Sequence, residues 1–155
     1  MEGVVASLNV NPNGGVPKLP VAAVRLERTG ASGDLQRDLR HHGGPLRAVC
    51  LFAVERIREL QAAGHPIAPG STGENLTIEG LEWARLQGGQ RLRVGDALLE
   101  LTSTATPCQN IAASFSDGGF ERLLEARFPG GARWYAAVVE PGLVRTGDTV
   151  ACVTK

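Results

Sequence analysis

The chain has 155 residues, and its sixteen basic and sixteen acidic side chains cancel. No whole-molecule field therefore draws it to nucleic acid or a membrane surface. Met1-Glu2-Gly3 leads straight into Val4-Val5-Ala6 without a basic segment, and no apolar run nears the ~20 residues a membrane helix needs; one cytoplasmic domain over 1–155 is expected.

Three cysteines without a CxxC pair suggest neither a disulfide framework nor a thiolate zinc site, and twenty glycines with nine prolines call for many tight turns. Residues 3–10 (GVVASLNV) read as a strand, ended by the turn residues Asn11-Pro12-Asn13-Gly14-Gly15. Residues 21–26 (VAAVRL) read as a second strand. From 29 to 45 the apolar content collapses while Gly, Asp, Arg and His accumulate, which predicts a long loop of the kind that carries function. Residues 47–52 (RAVCLF) restore a buried strand, and the stripe Val54, Ile57, Leu60 extends a helix to Ala63 before Gly64 stops it.

Further on, Leu76-Thr77-Ile78 is a brief strand. Residues 91–94 and 97–102 are two more, joined at Gly95-Asp96, and TPCQN (106–110) closes the second. Phe120, Leu123, Leu124 and Phe128 share one helical face, with Asp117 as cap and Pro129-Gly130 as stop. Residues 133–139 and 149–153 finish as strands. RVGDALLEL (93–101) and RTGDTVACV (145–153) share Arg-x-Gly-Asp before a strand, which reads as two corners of one bent sheet. The sum predicts a mainly β fold: a closed or partly closed antiparallel β-barrel with two or three short peripheral helices.

Three segments can carry chemistry. Cys50 and Cys152 sit among apolar neighbours and read as core, whereas Cys108 ends a strand after Pro107, which offers no backbone donor. Gln109, Asn110 and nearby N–H groups can hydrogen-bond a thiolate there, so Cys108 is either a reactive thiol or a half-buried loop cysteine. The loop 33–44 gathers Arg37, Arg40, His41 and His42, with Arg47 just beyond, as the dense cationic patch of a neutral protein. Gly43 and Gly44 would let an anion such as a phosphate approach the backbone; the alternative is a solvated loop paired with Asp34 and Asp38. Adjacent His41-His42 is a weak metal signal, since neighbours on a strand point to opposite faces. Gly70-Ser71-Thr72-Gly73-Glu74-Asn75 lacks the spacing and lysine of a P-loop. Its Glu74, like Asp34, is either a proton donor or a carboxylate tied to backbone groups.

In order and separation, Gly33-Asp34-x-Gln36-x-Asp38, His42-Gly43-Gly44 with Ala48-Val49, Gly73-Glu74-Asn75-Leu76, Gly95-Asp96 and Pro107-Cys108 resemble the MOSC domain family, named for the C-terminal domain of molybdenum cofactor sulfurase. Asn13-Gly14-Gly15-Val16-Pro17-Lys18 and Gly64-His65-Pro66-Ile67 are similar to its small stand-alone bacterial branch. The resemblance implies a β-barrel, the molybdenum cofactor (molybdopterin), and Cys108 as either a thiolate ligand of molybdenum or the carrier of a persulfide. Beside Cys108, Glu74 and Asp34 stay the candidate catalytic carboxylates, and Arg37, Arg40, His41, His42, Gly43, Gly44, Arg47, Gly73 and Asn75 the candidate cofactor contacts. Many members carry arginine close before the Pro-Cys pair; Thr104-Ala105-Thr106-Pro107 has none. The expected activity is reduction of small N-oxygenated compounds, with a sulfur-carrier module as the alternative. A small-molecule substrate and a separate reductase or cysteine desulfurase are the expected partners, because the chain has no iron–sulfur cysteines and no GxGxxG.

Overall fold

Seven strands close on themselves because the last one reaches back to the first. The computed structural model describes residues 1–35 and 44–153. In chain order the elements are β1 (Glu2–Val10), β2 (Leu19–Val21), β3 (Ala23–Glu27), β4 (Gly30–Ala31), β5 (Val49–Ala53), α1 (Val54–Ala62), β6 (Leu76–Glu79), β7 (Arg91–Val94), β8 (Ala97–Thr104), β9 (Trp134–Glu140), β10 (Gly142–Arg145) and β11 (Thr149–Val153). The ring runs β11-β7-β8-β9-β5-β6-β1, and β1 pairs with β11 to shut it. β2 extends β1 outside the ring, and β10-β3-β4 form a small second sheet.

The expectation of an antiparallel barrel needs one correction: β5 and β6 are parallel, with Leu51 opposite Leu76 and Ala53 opposite Ile78. The cause is α1, which follows β5 directly and returns the chain so that β6 runs the same way. β5 (VCLFA) is buried at every position, as a strand covered on both faces should be. Register shifts in β1 between Val5 and Ser7, and in β8 near Leu98 and Leu101, supply the local bends that closure requires. The main core fills the ring with Leu8, Leu26, Leu51, Leu76, Leu92, Leu99 and Val150, all 0% exposed.

A second core fixes the chain that follows Cys108. Ile57 and Leu60 of α1 pack with Phe52, Ile67, Ile111, Phe115 and Leu123. The predicted α1 is thus correct in place and stripe, and Gly64 follows it at a φ of 96°. The second predicted helix does not form. Residues Phe120–Leu123 make a single 3-10 turn, with Leu123 buried, Phe120 partly buried and Phe128 exposed. Locally, Asp117 accepts the Gly119 N–H at 2.9 Å and a two-pronged bond from Arg122, so the side chain that would cap an α-helix holds a tight turn instead. The predicted strand 21–26 divides at Ala22, where the chain leaves β1 as β2 and joins β10 as β3. No described helix is long and apolar enough to cross a membrane.

Candidate functional site

A row of neighbours crosses the barrel wall and organises the site. Asn9 at the end of β1 donates its N–H to the Asn75 carbonyl at 2.8 Å. Asn75, just before β6, donates its N–H to the Cys50 carbonyl at 2.8 Å and accepts the Cys50 N–H on Oδ1 at 3.1 Å. Cys50 lies opposite Tyr135 of β9, and Tyr135 opposite Ser103 of β8. Asp34 and the 73–76 segment are bonded directly to this row.

On one side Asn75 Nδ2 donates to Asp34 Oδ2 at 2.9 Å and to the Asn9 carbonyl at 3.3 Å. Asp34 Oδ1 accepts the Asn11 N–H at 2.9 Å, and Lys18 forms a short ion pair with Oδ2. The Asp34 side chain is 2% exposed. Asp34 therefore bridges residues 41 and 23 positions away, and its oxygens are occupied. Glu74 is fully buried, with Oε1 accepting from the Thr72 hydroxyl at 2.9 Å and Oε2 from the Thr77 hydroxyl at 3.0 Å. Burial pushes its carboxyl up from the ordinary value, opposed by backbone and hydroxyl hydrogen bonds. Gly73 holds a φ of 86° where a Cβ would stand 3.2 Å from Val16 Cγ1, so glycine is required there for conformation.

On the other side Tyr135, Cys50 and Ala105 form a small buried cluster. The Arg47 guanidinium lies 5.6 Å from the Tyr135 ring centroid, a cation–π distance. Burial pushes the Cys50 thiol up to about 11, with Arg133 opposing and Glu74 adding to the rise. Burial also raises Tyr135, which Cys50 and Cys108 reinforce and Arg133 and Arg47 oppose. Cys108 thus belongs to the electrostatic surroundings of Tyr135. It is half-buried, whereas Cys50 is 7% exposed. Its extended backbone opens the 3-10 turn Gln109–Ser114, its carbonyl accepts the Ile111 N–H at 3.1 Å, and Gln109 and Asn110 are exposed beside it. Pro107 before it is buried, and Ile111, bonded to its carbonyl, is buried after it.

Gly44 precedes the 3-10 turn Pro45–Arg47 with a φ of 78°, and a Cβ there would meet nothing within 4 Å. Among the described residues nothing crowds that position. Arg37, Arg40, His41, His42 and Gly43 lie outside the described residues. Gly95-Asp96 is bonded to Thr149 and Leu143, beside the second Gly-Asp corner, and no bond joins it to the row. Cys152 is partly buried against the main core and takes a contact from Gln90 Nε2 at 3.3 Å.

Sequence reasoning missed Lys18 as partner of Asp34, Thr72 and Thr77 as partners of Glu74, and the interior guanidinium of Arg133. Lys18 stood within a motif and so had a signal; Arg133 looked like the first residue of an ordinary strand. Among the described residues no three metal-ligating side chains converge. One thiolate at Cys108 suits a metal that brings most of its ligands on an organic group.

The sequence profile of the MOSC domain matches residues 38–151. The chain is 32% identical over 143 residues to the YflK protein of Bacillus subtilis (strain 168), covering 91% of this chain and 64% of that one. It is 28% identical over 134 residues to the YiiM protein of Escherichia coli (strain K12), covering 84% and 59%. This chain thus spans less than two thirds of either curated relative. The crystal structure of Escherichia coli YiiM superimposes with a TM-score of 0.75 at 25% identity, over 100% of this chain and 71% of that one. With most of the ring inside the matched span and the fold shared throughout, the chain belongs to the MOSC domain family, a molybdenum-cofactor-related domain.

Proposed function

We propose that this chain binds the molybdenum cofactor beside the Asn75–Cys50–Tyr135 row, with Cys108 as thiolate ligand, and reduces small N-oxygenated compounds. The observation that carries the reading is the half-buried Cys108 within electrostatic reach of Tyr135, Arg47 stacked over that ring, and Gly44 near Arg47, uncrowded among the described residues. When bound, the cofactor would supply electron-pair transfer at its metal, and reduction of an N–OH group takes that pair with a pair of protons to give N–H and water. The chain's residues hold and screen. Cys108 presents sulfur from a backbone pinned by Pro107 and Ile111, Arg47 and Gly44 offer charge and backbone to an anionic group, and Asn75 locks the wall behind them. Asp34 and Glu74, with every oxygen already taken, act as braces, and protons come from solvent. Electrons come from a separate reductase.

Molybdenum content tests this. Protein purified from a host that makes the pterin should carry molybdenum, and Cys108→Ser should lose about 10–100-fold or more of its activity on a small N-hydroxylated compound with a reduced viologen as donor. Absence of the metal from both preparations sinks the reading. The same exposed flank at Gln109 and Asn110 supports a second reading, persulfide carriage on Cys108. Intact mass after incubation with a cysteine desulfurase and cysteine would then rise by a single sulfur, and Cys108→Ser would take up none.

A further inference from the structure

Arg133 carries a charge into the interior with no counter-charge among the described residues. It is 4% exposed, its Nη1 donates to the Thr72 carbonyl at 2.6 Å, and its Nε is buried without an acceptor. The ion pairs among the described residues all belong to other cations. Burial disfavours the anionic forms of the acids nearest it. Glu74, joined to it through Thr72, is pushed toward its neutral acid by burial, and burial also raises the Cys50 thiol and the Tyr135 phenol. A guanidinium cannot escape by losing its proton, and an unpaired buried ion is strongly unfavourable. The Arg133 carbonyl accepts the Ala105 N–H at 2.8 Å, which sets the residue beside the strand end leading to Cys108, while Thr72 ties it to the 70–75 loop.

We propose that Arg133 anchors an oxyanion subsite between these two loops, taking a tetrahedral oxyanion through its free Nε–H. The occupant is either a free oxyanion or the phosphomonoester end of a larger ligand. In the second case the inference rests on the cofactor reading above, and in the first it stands alone. A guanidinium suits such a group because its planar donors match the oxygens and its charge balances theirs.

The experiment uses the purified full chain without cofactor. Thermal melts and calorimetric titrations are run with inorganic phosphate, molybdate and phenyl phosphate, against chloride at matched ionic strength. Wild type should show saturable stabilisation by an oxyanion. Arg133→Met should melt higher than wild type when no oxyanion is present, because the unpaired cation is gone, and should bind the oxyanion at least about tenfold more weakly. Arg133→Lys, which keeps the charge and loses the planar fork, should also weaken binding, and it serves if the methionine variant does not fold. Tighter binding of phenyl phosphate than of phosphate supports the ester as occupant, and the reverse order supports the free ion. No saturable response in wild type to any of the three, or an unchanged response in the Arg133 variants, overturns the subsite. Molybdenum content is read separately: oxyanion binding that needs Arg133 in a protein that never acquires molybdenum keeps the subsite and removes the cofactor reading, and the opposite pattern does the converse.

Discussion

At the scale of single residues, Glu74 shows how burial decides a role. Its carboxyl is enclosed, and burial raises it above the ordinary glutamate value of 4.5 against the backbone and hydroxyl hydrogen bonds it accepts. In the unfolded chain it ionises near that value, so between the two the folded state holds a proton the unfolded state has lost. Stability from this group is therefore full below the unfolded value and falls as pH rises through the folded one. Glu74→Gln stays neutral and keeps the shape, so its stability should lack this fall. Urea midpoints measured from pH 4.5 upward should move steadily in favour of the variant; parallel curves for the two proteins would show that Glu74 is ionised throughout. Cys108 was readable at this scale because its cues are local: a strand end, Pro107, and two amides after it. Arg133 was not, because its isolation depends on Thr72, 61 positions away.

At the scale of elements, glycines separate turns that need only backbone freedom from turns that need space. Gly70 has a φ of 85°, and a Cβ on it would stand 2.2 Å from the Lys18 carbonyl oxygen and 3.1 Å from the Asn9 side chain. That packing joins the 70–75 loop to the segment carrying Lys18, whose N–H donates to the Gly70 carbonyl at 2.9 Å. Gly147 has a φ of 94° and nothing within 4 Å of its would-be Cβ. Gly147→Ala should cost about 1–2 kcal/mol, the price of the left-handed backbone alone. Gly70→Ala should cost about 4 kcal/mol or more, since a backbone carbonyl must also move. Chemical denaturation of both variants checks the ordering, and equal losses would contradict it. The same scale explains the errors in reading the elements. The apolar face of 120–128 has helical spacing, yet Gly118-Gly119 and the Asp117–Arg122 pair before it favour a single tight turn over the costly nucleation of a short helix. β4, two residues long, is too short to show an alternating pattern.

At the scale of the whole molecule, stability depends on the seam where β11 meets β1. Val150 lies there opposite Gly3 and also opposite Val94 of β7, with no exposed surface. Val150→Ala should lower unfolding free energy by about 2 kcal/mol through lost burial and the cavity left behind. Val4 is on the same seam, opposite Thr149, but 43% exposed, so Val4→Ala should change stability by no more than about 0.5 kcal/mol. Urea unfolding with unchanged slope checks both, and equal effects would mean the seam contributes pairing but no core.

The sequence by itself determined the seven strands of the ring and where α1 would run, because periodicity and turn residues act over a few positions of chain. It also carried the family, through short motifs in a fixed order. Tertiary structure alone decided that β5 and β6 run parallel, that the chain changes sheets at Ala22, and that Asp34, Lys18, Asn11 and Asn75 form one network. It alone left Arg133 buried with no counter-charge among the described residues. Closing a ring brings together residues whose separation along the chain is unrelated to their distance in space. Hydrogen bonds, burial and charge balance are settled only by that closure.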